Sequence, residues 1–164
     1  MSKPVLKDYL LLHLCIIFWG FTSVLGVLSS LQAPYLVVFR TGISFLTLFI
    51  LLKFRKSGPL FPTRSWGVIA AAGFLTAFHW TTFFASAQLS NVSTCLAGMS
   101  TTALWTSLLE PLMTKKKFSW TELVLAALVS VGLVLIYQSD LSMAYGLSIS
   151  IVSAIACSIF SILN

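Results

Sequence analysis

The stretch that decides the fold is YLLLHLCIIFWGFTSVLGVLS, residues 9–29. It is about 20 residues long, which matches a helix crossing a bilayer core of about 30 Å. It exceeds the 7–15 residues typical of a signal-peptide core, and no small-x-small cleavage site follows it. It therefore reads as a retained membrane span. Five further apolar runs follow, at residues 34–52, 66–87, 93–113, 122–137 and 141–163. Hydrophobic residues make up 58% of the chain and charged ones 9%. A soluble domain carries about 25% charged residues, so this chain cannot cover a water-facing surface. The expected fold is all-α: a polytopic transmembrane bundle of six spans with short connections and no soluble domain.

The net charge of +6 is distributed as topology rather than as a nucleic-acid footprint. Lys3 and Lys7 precede the first span, and Lys53, Arg55, Lys56 and Arg64 lie between the second and third. Lys115, Lys116 and Lys117 lie between the fourth and fifth. If the spans alternate, all nine fall on one side, and the opposite loops hold none. The positive-inside rule then places the N-terminus in the cytoplasm. The partners expected are the lipid bilayer and a small solute, with no nucleic acid.

Cys15, Cys95 and Cys157 sit singly in three runs, without CxxC spacing or a neighbouring His for a metal site. They read as buried thiols acting as small apolar residues, and neither a metal nor a cofactor is implied. Asn91-Val92-Ser93 fits a glycosylation pattern but lies too close to the membrane to serve easily. Pro34 and Pro62 stand at or just before span starts, where a missing amide hydrogen costs little. Ser119-Trp120-Thr121-Glu122 fits a capping box that opens the fifth span. Tyr9, Trp66 and Trp120 fall where interfacial aromatics gather.

Two runs carry an internal pattern. In the sixth, Ser142, Gly146, Ser150, Ala154 and Ser158 recur every four residues, a small-residue packing ridge. In the fourth, Gly98, Thr102, Thr106 and Glu110 do the same, and each step turns the row by about 40°. That row either packs against a neighbour or lines a watered pathway.

Four ionisable side chains fall inside the spans: His13, Arg40, His79 and Glu110. Such groups usually face a bundle interior and mark function. Arg40 lies about 9 Å, and His79 about 12 Å, from the outer ends of their spans, so the two can share an outer layer. Glu110 lies about 7 Å from Lys115, near the cytoplasmic face, where His13 also enters. The structural alternatives stay open: Arg40 can snorkel, His79 can be a satisfied interior group, and Glu110 can pair with Lys115–Lys117. Pro111 loosens the helix beside the acid. No HExxH, paired intramembrane aspartates or Gly-rich phosphate loop appears, so no enzyme is expected.

Phe18-Trp19-Gly20-Phe21-Thr22 resembles the first-helix motif of EamA-type members of the drug/metabolite transporter superfamily. Pro34 followed by Val38-Phe39-Arg40 is similar to that family's second helix. Residues 85–107 resemble its small and hydroxyl-rich third-to-fourth segment, and LVLAALVSVGLVLIY with Gly132 resembles its fifth helix. Many members carry a Gly-Glu at the end of the fourth helix. Here that place reads Lys115-Lys116-Lys117-Phe118-Ser119, so the usual glutamate's role does not carry over to Glu110.

The resemblance implies ten helices in two inverted five-helix repeats, with the solute site between them. Residues 1–138 would form the first repeat, and 139–164 the first helix of the second. The chain then looks like the N-terminal part of a longer transporter, completed by a C-terminal half or by homodimerisation. The implied function is a secondary transporter of the plasma (inner) membrane, exporting a small metabolite or amino-acid-like solute by alternating access. Arg40, His79, Trp80, Thr102 and Thr106 are the candidate solute contacts, with Glu110 and His13 as candidate proton-coupling residues. The rival reading is a non-transporting membrane fragment or packing subunit.

Overall fold

In lipid, a backbone amide has no water to bond, so an apolar run must satisfy its own N–H and C=O groups as a helix. The computed structural model describes residues 5–55, 66–137 and 143–163, and its elements are all α. Seven helices follow in order: α1 (Leu6–Leu28), α2 (Ala33–Arg55), α3 (Trp66–Leu89), α4 (Val92–Ser100), α5 (Thr102–Thr114), α6 (Trp120–Tyr137) and α7 (Ala144–Leu163). Four of them, α1, α2, α3 and α7, are long and apolar enough to cross a membrane. The helix α6 has 18 residues, with its apolar part at Trp120–Gly132.

The fourth expected span is present as two consecutive helices, α4 and α5, interrupted at Thr101. The Thr101 N–H bonds the Gly98 carbonyl at 3.1 Å, three residues back rather than four. The hydroxyls of Ser100, Thr101 and Thr102 donate to the carbonyls of Ala97, Gly98 and Met99 at 2.7, 2.7 and 2.6 Å. Three consecutive hydroxyls thus compete with the amides for the same carbonyls and tighten the turn. The helix α5 contains Pro111 and ends at Lys115, which takes the left-handed conformation (φ 57°).

Burial is inverted relative to a soluble protein. Buried polar side chains include Ser23, His79, Ser86, Ser150, Ser153 and Ser158, whereas leucines and phenylalanines of α1 and α2 lie exposed. A lipid solvent accepts that exterior. The packing centre is α7, which runs antiparallel to α3 and parallel to α4: Ser153 meets His79, Ser86 meets Gly146, and Ser150 meets Cys95. Gly146, Ser150, Ala154 and Ser158 are all buried, as their spacing predicts, while Ser142 falls outside the described residues. The same holds for Lys3, Lys56, Pro62 and Arg64.

At the opposite margin, Gln88 at the end of α3 fastens the α1–α2 turn. Its Nε2 donates to the Leu31 and Gly26 carbonyls at 2.9 and 3.3 Å, and its Oε1 accepts from the Ala33 N–H at 3.2 Å. Helix ends leave such groups without intrahelical partners, so one amide side chain serves two helix termini. The Ser119 cap forms its backbone half, with Oγ accepting from the Glu122 N–H at 3.4 Å. Of the three thiols only Cys95 is buried, donating to the Phe83 carbonyl at 3.2 Å; Cys15 is exposed and Cys157 half-buried, against the expectation for all three.

Candidate functional site

The helix α2 passes α3 antiparallel, and this brings Arg40 over the ring of Trp80, 3.7 Å from its centroid. The stack attracts a guanidinium that has no carboxylate partner among the described residues. Arg40 is half-buried and lines an open recess of about 450 Å³ with Trp19, Thr22 and Trp80. Trp19 and Trp80 are shared with a second cavity of about 370 Å³, which also touches His79, Phe83, Met99 and Thr102. The recess and the cavity are therefore neighbours across one aromatic wall. Trp80 meets Phe83 edge-on at 5.7 Å and lies near-parallel to Phe84 at the same separation.

His79 is buried and held by α7. The Ser153 Oγ donates its one proton to the His79 carbonyl at 2.8 Å. The His79 Nδ1 lies 2.9 Å from that Oγ and 3.1 Å from the Ser153 carbonyl, so Nδ1 carries the hydrogen and donates. In the neutral ring Nε2 is then left as an acceptor.

Arg40, His79, Trp80 and Thr102 thus come together around this pair of spaces. The other candidates lie elsewhere. Thr106 faces a groove of about 450 Å³ between α5 and α6, lined by Ser107, Glu122 and Ala126 and reached also by Thr102. Thr102 sits just past the break, touching both the cavity and the groove. Glu110 is ion-paired with Lys116 at the lysine end of the bundle. Lys116, fully exposed, has its ammonium pKa raised above the ordinary 10.5 by its hydrogen bond to Glu110 and that acid's charge. His13 lies on the exposed face of α1, with Nδ1 donating to the Tyr9 carbonyl at 2.7 Å.

Sequence reasoning missed several wall residues. Trp19 was visible only as part of the FWG motif, and Phe83 and Met99 carry no signal beyond apolarity. Ser153, which fixes the His79 ring, lies one position off the every-fourth-residue ridge.

The sequence profile of the EamA-like transporter family matches residues 6–138, most of the chain. No curated protein and no solved structure matches it. With apolar helices of spanning length around a polar interior, the chain is an integral membrane protein. It belongs to the EamA-like family of membrane transporters.

Proposed function

We propose that this chain acts in secondary transport, exporting a small amphipathic metabolite or amino-acid-like solute across the plasma (inner) membrane by alternating access. The observation that carries the reading is Arg40, a permanent cation inside a span, stacked on Trp80 at the mouth of a cavity. A charge at that depth is costly, and such residues usually mark solute pathways. Arg40 and His79 contact the solute's polar end, with Trp80 and Thr102 beside them. Family members are transporters rather than enzymes, which supports the same reading.

The first inverted repeat occupies 1–138, and 139–164 opens the second. The antiparallel course of α1 and α7 suits that division. Nine basic residues on one side put the N-terminus in the cytoplasm. Glu110, near that face, takes the coupling proton by exchanging its Lys116 pair for a bound hydrogen. Thr106, in the α5–α6 groove, lies on the route between the two layers. His13, whose Nδ1 donates to the Tyr9 carbonyl of its own helix, is the second candidate for the coupling proton.

The test is gradient-driven flux in proteoliposomes. Glu110→Gln should insert normally and lose its dependence on a proton gradient. Unchanged gradient-driven flux in that variant removes Glu110 from the mechanism. No flux of any solute by the unaltered chain overturns the transport reading for it.

A further inference from the structure

We propose that the paired recess and cavity select an amphipathic organic anion that bears no ammonium group, with its acid on Arg40 and its flat apolar body along Trp19, Trp80 and Phe83. This rests on the transport reading above and narrows its solute to the anionic metabolites, setting aside the zwitterionic amino-acid-like ones.

The charges around the site decide the class. Among the described residues, the linings of the two spaces include Arg40 and His79 but no Asp or Glu. Glu110, the intramembrane acid, is taken by Lys116 at another end of the bundle. Arginine stays protonated whatever its surroundings, so the site carries a fixed positive charge without an internal counter-ion. His79 adds no competing anion hole. Its Nδ1 hydrogen is committed to Ser153, and the neutral ring offers Nε2 as an acceptor. The solute's negative charge therefore falls to Arg40.

An ammonium on the same solute would enter a space that already repels it. Aromatic faces attract cations, and Trp19, Trp80 and Phe83 could in principle supply that attraction. One face of Trp80 is already covered by the guanidinium, however, so a second cation on that ring would lie close to the first. A second cation there would meet the like charge of Arg40, which repels it. The anion meets the reverse: a planar donor fork held in place by stacking, suited to two parallel bonds to a carboxylate. The body fits because Phe83, Leu96 and Met99 continue the apolar wall beyond Trp80 into the 370 Å³ cavity. That volume lies within the range of sites that enclose small organic molecules.

Three probes share one phenyl-alkyl body and differ in charge: 3-phenylpropionate, phenylalanine and phenethylamine. Their binding to the full chain in nanodiscs is measured by calorimetry, against empty nanodiscs that report lipid partitioning. The expected order puts 3-phenylpropionate at least tenfold tighter than the other two, a difference of about 1.4 kcal/mol. Arg40→Gln should erase that preference and Arg40→Lys should keep part of it. Phenylalanine binding as tightly as 3-phenylpropionate overturns the proposal, as does binding of none of the three. An Arg40→Gln chain that folds and keeps the preference overturns it too. The probe series needs no variant, so misfolding of Arg40→Gln does not rescue the idea. Flux distinguishes the two layers of inference: the expected binding order without flux of any solute overturns the transport reading and leaves the anion site standing. Transport of other solutes without anion binding does the opposite.

Discussion

The helices α1 and α7 are close to equal in hydropathy and in length, yet only 11% of the spanning window of α1 is buried against 33% for α7. The difference lies in the size and hydroxyl content of their side chains. From Leu6 to Gly20 every residue of α1 is exposed, and only Ser23 and Gly26 are buried. The buried set of α7 is Gly146, Ser150, Ser153, Ala154, Ala156 and Ser158, all small. Lipid tails are as apolar as leucine, so apolarity gives a helix no reason to prefer a protein neighbour. Close backbone approach and hydroxyl-to-carbonyl bonds do. In this molecule α7 donates from Ser150 to the Cys95 carbonyl at 2.6 Å and from Ser158 to the Thr102 carbonyl at 3.0 Å. The helix α1 is held mainly where Gly26 admits the Phe84 ring and where Gln88 grips its end.

The largest effect should follow from filling the notch that α7 uses. A Cβ at Gly98 would stand 2.5 Å from the Ser150 side chain, with Leu147 a further 0.8 Å out at 3.3 Å. Gly98→Ala should cost about 1–3 kcal/mol, the usual range for overpacking. At Gly20 in α1 a Cβ meets nothing within 4 Å, so Gly20→Ala should be neutral or slightly stabilising through helix propensity. Reversible unfolding in mixed micelles compares the two. Equal losses at both positions would break the contrast between the helices.

Next in size is the hydroxyl that joins α7 to the candidate site. Ser153→Ala removes the bond to the His79 carbonyl and one acceptor of its ring nitrogen. A loss of about 1–2 kcal/mol is expected, since a buried donor is left with a poorer partner. Thr22 in α1 bonds only its own helix, at the Phe18 carbonyl, so Thr22→Val should stay within about 0.5 kcal/mol. The same unfolding assay reads both, and a Thr22→Val loss as large as that of Ser153→Ala would contradict the account of what binds helices here.

How much of this was legible beforehand follows from the range of the interactions. The spans, the lysine-marked loops and the α7 ridge are local patterns, set by composition and by the 3.6-residue turn. The break at Thr101 was half visible, because Ser100, Thr101 and Thr102 stood out as hydroxyls. Ser158 of α7 donates to the Thr102 carbonyl beside the break, a contact between distant residues that no local pattern shows. Thr106 faces the α6 side, where Thr102 of the same row also reaches, whereas Gly98 before the break meets Ser150 of α7. Arg40 and Trp80 lie forty residues apart on different helices, and their stacking depends on the antiparallel crossing of α2 and α3. Gln88 carries no sequence signal of its own, and its role appears only once the α1–α2 turn is in place.

The smallest effect should come from the ion pair, and this sharpens the contrast between sheltered and watered contacts. Lys116 is fully exposed, and its pairing with Glu110 is open to water and salt. Exposed pairs generally contribute little. Because its folded pKa is raised above the ordinary 10.5, any stability the pair gives is fully present below that pH and fades only as the pH climbs past the raised value. Lys116→Gln should therefore unfold at nearly the same temperature as the unaltered chain at neutral pH. Any small difference between them should close only above about pH 10.5. A Lys116→Gln loss exceeding that of Ser153→Ala would mean that the charged end, rather than the serine-bonded interior, organises this bundle.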